Sequence, residues 1–174
     1  MTIELSSFVQ HHLAETPEVV EVRRVATALL DHLRSPDADG KIAAANLPGA
    51  SSQRIQEIFV EFARELGFVD ERVGLFAGYE SAVRPDYFLA LGETGILLEV
   101  ERGKTTINNM DFLDFWKCHL CEHAHYLFLL VPKELRQNAA MSPRREYAAV
   151  VRRLEPFFRA RNYTNVRGLF VFGY

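Results

Sequence analysis

Val19, Val22, Val25, Ala26, Leu29, Leu30 and Leu33 recur every three or four positions. That spacing puts them on one face of a helix. Thr16-Pro17 ahead of them offers a cap and a first-turn proline, so a helix is predicted to start there. Ile55, Ile58, Phe59, Phe62, Ala63 and Leu66 repeat the pattern after Ser51 or Ser52, and Gly67 stops it. The period then shortens. Segments 72–79, 86–91 and 95–101 are strand candidates, the last two joined by a Gly92-Glu93-Thr94-Gly95 turn. Asn108 or Asn109 caps a helix running to about Cys121. Tyr126–Val131 is an unbroken apolar run, as in a strand buried on both faces, and Pro132 stops it. Ser142-Pro143 starts another long helix, and 166–172 closes the chain as a strand. Residues 3–14 are expected to be a short helix, and 35–49, with its Pro, Asp and Gly, a loop.

The order helix, three strands, helix, strand, helix, strand predicts an α/β fold with a mixed central sheet between layers of helix. The chain has 174 residues, enough for one domain with a sizeable core. The expectation is a single domain over 1–174 with a helical N-terminal segment to about residue 50. Nothing at Met1 to Leu13 resembles an export signal, and no apolar run approaches the roughly 18 residues of a membrane span. A cytoplasmic location is therefore expected, with no membrane partner. Cys118 and Cys121 are then thiols or metal ligands rather than a disulfide. With His119, His123 and His125 they have zinc-compatible chemistry. A single Cys-x-x-Cys on a helix lacks the second, distant pair of a structural zinc site, so packing as small hydrophobes is the preferred reading.

The net charge of −3 weighs mildly against a nucleic-acid partner. Arg144, Arg145, Arg152, Arg153, Arg159, Arg161 and Arg167 are nevertheless concentrated in the last fifth of the chain. The helical spacing of Arg144, Arg145, Arg152 and Arg153 predicts a basic face, turned to phosphate, to a partner subunit or to solvent.

The acids carry the candidate chemistry. Alternation puts Leu97, Glu99 and Glu101 on one face of a strand, and Ile96, Leu98 and Val100 on the other. Two acids on one face beside a leucine need a partner. Asp86 opens the preceding strand of the hairpin, so its carboxylate can approach theirs. Crowded carboxylates repel, and a divalent cation relieves that. Oxygen ligands suit Mg²⁺ or Mn²⁺. The alternative is a solvated face paired with Arg102 or Lys104.

Pro85-Asp86 followed by Glu99-Val100-Glu101 resembles the PD-(D/E)xK nuclease superfamily, in the branch of type II restriction endonucleases with Glu or Gln in the Lys slot. The similarity runs through Arg102-Gly103 to Asp111, Asp114 and Lys117 and covers residues 51–132. It implies a restriction-endonuclease-like three-layer α/β/α sandwich and hydrolysis of phosphodiester bonds in DNA. It implies a metal held by Asp86, Glu99, the carbonyl of Val100 and an acid on the preceding helix, Glu57 or, one turn on, Glu61. Glu101 would then act as base or bind a second metal, and Lys104 would stabilise charge on phosphate or simply be a solvated loop residue. Cutting two strands makes a homodimer plausible on symmetry grounds. A structure-specific repair nuclease or junction resolvase is the alternative on the same fold. The alternative of a different class is a nucleic-acid- or protein-binding module without catalysis. Asn108 and Asn109 are expected as caps, Lys117 as a partner of Asp114, and Phe112, Leu113, Phe115, Trp116 and Leu120 as core.

Overall fold

The computed structural model describes residues 3–47, 51–70, 76, 78, 84–103, 105–136 and 142–174. Its elements run β1 (Glu4–Val9), α1 (Pro17–Leu33), α2 (Pro36–Ala45), α3 (Ser52–Glu65), β2 (Val69–Asp70), β3 (Tyr87–Leu91), β4 (Thr94–Val100), α4 (Met110–Leu120), β5 (Tyr126–Val131), α5 (Glu146–Leu154) and β6 (Gly168–Gly173). The described strands form one sheet in the order β1-β6-β5-β4-β3-β2. β4, β5 and β6 are parallel, while β1, β3 and β2 pair antiparallel at the two sides.

β4, β5 and β6 are buried along their whole length, because helices cover both faces of the sheet. Ile96, Leu98, Val100, Phe128, Leu130, Phe170 and Phe172 pack on one side with α1 and α3. Leu97, Leu127, Leu129, Val131, Leu169 and Val171 pack on the other with Phe115 of α4 and Val150 of α5. The result is a three-layer α/β/α sandwich with a mixed central sheet. The apolar stripe of α1 from Val19 to Leu33 is its buried face. Thr16 caps that helix, its hydroxyl accepting from the Val19 amide at 3.4 Å. Gly67 closes α3 with φ of +96°, and Gly92 turns the β3–β4 hairpin with φ of +61°, backbone values that favour glycine. No described helix is long and apolar enough to cross a membrane.

Several local expectations are corrected. Residues 3–14 are not a helix: Leu5, Phe8 and Val9 fall at helical spacing, yet 4–9 pairs with β6, from Glu4↔Gly173 to Val9↔Gly168. The sheet supplies backbone partners that local spacing cannot reveal. Within 35–49, α2 replaces the expected loop. Ser35 accepts from the Ala38 amide at 3.3 Å, Pro36 opens the helix, and Asp37 and Asp39 face its positive end. The same residue types that mark turns also start helices. The helix expected from Ser142-Pro143 begins only at Glu146. Most of the strand candidate at 72–79 lies outside the described residues.

Candidate active site

The register Tyr87↔Leu98 sets Asp86, the residue before β3, opposite Glu99 on β4. The Asp86 amide donates to Oε2 of Glu99 at 3.2 Å, and Oδ2 of Asp86 accepts from the Val100 amide at 2.9 Å. Glu99 is on the α4 side of the sheet with Leu97 and is only 2% exposed. Glu101 follows the strand. Its amide donates to Leu130 of β5 at 2.8 Å, and its carbonyl accepts from the Tyr174 hydroxyl at 2.9 Å. The backbone of Glu101 is thus held from two sides. Asp86, Glu99 and Glu101 thus lie near one another at the carboxyl end of a parallel strand, where open α/β sheets commonly place their ligand sites.

Two residues of α4 complete the cluster. Lys117 Nζ lies 3.0 Å from Oε1 of Glu99 and 2.8 Å from Oδ1 of Asp114. Gln56 of α3 hydrogen bonds to Asp86 through its side chain. Both carboxylate oxygens of Asp114 are buried, and its side chain hydrogen bonds with that of Glu101.

Burial and crowding set the proton affinities. Desolvation raises the Asp86 carboxyl above its ordinary range against the Val100 amide, Lys117 and Gln56, which lower it. Glu99 is pushed well up by burial and then by the charge of Asp114, with Lys117 opposing. Burial followed by Asp114 lifts Glu101 to about 8. Asp114 is raised by burial against Lys117. Burial alone would lower the Lys117 ammonium, but Glu99 and Asp114 outweigh it and hold its proton more tightly than usual. Four carboxyl groups thus share one ammonium, and the cluster remains short of positive charge.

The other sequence expectations fare unevenly. Glu57 is exposed and accepts from Gln53 at 3.2 Å; Glu61 is exposed too. α3 presents Gln56 to the site instead, because Ile55, Phe59 and Ala63 fix which face is buried. Val100 reaches the cluster through its amide. Lys104 lies outside the described residues. Asn109 occupies the cap position of α4 without a side-chain cap, and its Oδ1 accepts from Arg153 at 2.6 Å. Leu113, Trp116 and Leu120 are about half exposed, not core. The buried face of α4 is Asp111, Asp114, Phe115 and Cys118. That i, i+3, i+4, i+7 set was visible in the sequence, but the competing apolar residues masked it.

Cys118 and Cys121 are buried thiols in the α4-side core, not joined in a disulfide, and Cys118 donates to the Ala124 carbonyl at 3.7 Å. The basic helix is only partly a free face. Arg153 pairs with buried Asp111 at 2.7 Å and lies over the Phe112 ring, and Arg144 pairs with buried Glu146 at 3.2 Å. Arg145 and Arg152 are exposed.

The donor atoms at 86, 99, 101 and 114 are hard oxygens, the chemistry that Mg²⁺ and Mn²⁺ prefer. The Asp114 side chain also hydrogen bonds with that of Glu101, and a cation would offset the charge that these crowded acids share. Among the described residues, no three His, Cys, Asp or Glu side chains already form a ligand set; Lys117 Nζ stands between Glu99 and Asp114. No protein-family model matches the chain, and no curated protein matches it in sequence.

Proposed function

We propose that this protein is a Mg²⁺- or Mn²⁺-dependent endonuclease that hydrolyses phosphodiester bonds in DNA, on a restriction-endonuclease-like plan. One observation carries the reading: Asp86, Glu99, Glu101 and Asp114 are gathered around one ammonium at the end of β4, with their proton affinities raised by burial. Such a concentration of buried acids is costly unless cations offset it.

Asp86, Glu99 and the Val100 carbonyl are the residues that would hold the metal. The bound cation would supply charge neutralisation and polarisation of the phosphate. Glu101, held at its backbone by β5 and Tyr174, accepts the proton of the attacking water. Lys117 takes the part expected of Lys104, its ammonium offsetting the charge that develops on phosphate. Gln56 orients Asp86.

The competing reading, a binding module without catalysis, is favoured by the pairing of Lys117 with both Glu99 and Asp114, which partly satisfies the cluster without metal. Incubation of supercoiled plasmid with Mg²⁺, Mn²⁺ or chelator tests the choice. Nicking or linearisation that requires metal, and disappears in Glu99→Ala, is the expected result. Failure of the wild-type chain to cut with either metal rejects the nuclease reading. A linear duplex compared with branched substrates separates a simple endonuclease from a resolvase. Light scattering of the purified chain tests the homodimer that two-strand cutting implies.

A further inference from the structure

An open cleft of about 830 Å³ lies at the opposite end of the sheet from the carboxylates. It sits where β1 ends and β6 begins. The length of six-residue β6, about 20 Å at strand rise, separates it from the proposed catalytic centre. Its walls come from Gln10 to His12, His119 of α4, and the segment 157–165.

The cleft is built rather than incidental. Gln10 Nε2 donates to the carbonyls of Thr164 and Val166, both at 2.8 Å. His119 Nδ1 accepts from the Asn165 amide at 3.1 Å, while Asn165 Nδ2 returns a bond to the His119 carbonyl at 3.0 Å. The Asn162 side chain donates to the Pro156 carbonyl. Phe157 packs on Phe115 with ring centroids 4.5 Å apart, anchoring the floor in the core. Onto this frame the chain places Arg161 in the left-handed region, at φ of +74°. Few side chains other than Asn, Asp and Gly adopt that conformation freely. Tyr163, 93% exposed, stands free at the rim.

The chemistry of the lining is one-sided. Among the described residues that form it, every ionisable side chain other than Tyr163 is basic or histidine: Arg159, Arg161, His11, His12 and His119. This occurs on a chain whose net charge is −3. Arg159 is partly offset by Glu155, 3.2 Å away at the exposed surface, a pairing of little strength in water. Basic groups beside an exposed ring, with Asn and Thr groups between them, match a polymer that presents phosphate and a flat base together. An isolated anion would have no use for the ring, and an apolar peptide none for the charge.

We propose that this cleft binds a single-stranded segment of nucleic acid, with a base stacked on Tyr163 and backbone phosphate held by Arg161 and Arg159. The choice of nucleic acid over other polyanions rests on the nuclease reading. The cleft then acts as a second hold on substrate, away from the cutting site.

The test is fluorescence anisotropy of a labelled oligothymidylate with the full chain in chelator, so that no hydrolysis intervenes. Tyr163→Ala should weaken binding about ten-fold, the usual effect of losing one base–aromatic stack. Arg161→Gly keeps the backbone conformation accessible and removes the charge. It should flatten the dependence of log affinity on log salt by about 0.7, one phosphate contact on a single strand. Both positions are exposed, so both variants should keep the wild-type melting temperature. Unchanged affinity and slope in the two variants overturn the proposal. So does equal binding of polyglutamate, which would make the cleft a generic polyanion surface. Oligonucleotide binding that depends on Tyr163, without metal-dependent cleavage, rejects the nuclease reading and leaves this one standing. Cleavage with unaltered variant affinities does the reverse.

Discussion

Lys117 Nζ lies 3.0 Å from Oε1 of Glu99, joining the helical layer to the central sheet across the candidate site. Glu99 is almost wholly buried, and Lys117 retains 26% of its side-chain exposure. The same ammonium is 2.8 Å from Asp114, one turn away on its own helix. Lys117 is thus the internal counter-charge of a crowded acidic cluster.

Lys117→Ala should therefore destabilise the fold and impair cutting. Removing one partner of a buried ion pair costs about 3–5 kcal/mol. The exposed part of Lys117 is screened by water and the acids can take up protons, so about 2–3 kcal/mol is expected here. Urea unfolding at pH 8 measures it. A loss below about 0.5 kcal/mol, the usual effect of an exposed substitution, would show that the pair matters little. Cleavage should fall about 100-fold if the ammonium faces the scissile phosphate.

The raised carboxyls give stability a definite pH trend. Glu101 has an ordinary value of 4.5 and is lifted to about 8 in the fold. The folded state therefore binds its proton more tightly than the unfolded chain does. The resulting stability is fully present below 4.5 and is lost as pH rises through about 8. Glu99 and Asp114 act in the same direction. In chelator the melting temperature should fall between pH 5 and pH 9. Added Mg²⁺ should restore it, more at pH 9 than at pH 6, because metal competes with protons for the same oxygens. Scanning calorimetry with and without Mg²⁺ decides; a Mg²⁺ shift that is absent at every pH argues against a metal site.

Glu101→Ala should abolish metal-dependent cleavage while preserving DNA binding. Stability should hold or rise, since one acid leaves a repelling group. Glu101→Lys, which places the lysine of the resembled nuclease pattern at this position, should also be inactive, because a lysine neither binds Mg²⁺ nor readily accepts a proton at neutral pH. Plasmid cleavage and circular dichroism read the two effects. Full activity in Glu101→Ala would remove Glu101 from the mechanism and leave Lys117 as the principal catalytic group.

Neighbouring arginines on α5 should behave differently. Arg153 is paired with fully buried Asp111 and lies 4.2 Å from the Phe112 ring centroid. Arg153→Ala should cost about 3 kcal/mol by leaving that acid unpartnered. Arg152 is exposed, and Arg152→Ala should change stability by less than about 0.5 kcal/mol. Equal effects on unfolding would contradict the ion-pair assignment. Any loss of DNA affinity should come from Arg152 rather than Arg153.

What the sequence by itself determined was local in origin. The alternation of residues 96–101, the apolar run Tyr126–Val131, the Thr16-Pro17 start and the Gly67 stop each depend on neighbours a few positions away. These elements made the sandwich and the convergence of Asp86, Glu99 and Glu101 legible before any coordinates. Tertiary structure decided the rest. β1 exists because β6, more than 150 residues later, pairs with it. Gln56 rather than Glu57 meets Asp86 because the rotation of α3 is set by packing against the sheet. Lys117 meets Glu99 only once α4 lies across β4, and Arg153 becomes a clamp only when α5 is brought against Asp111. Periodicity says which residues share a face; which face meets which partner follows from the packing of distant elements.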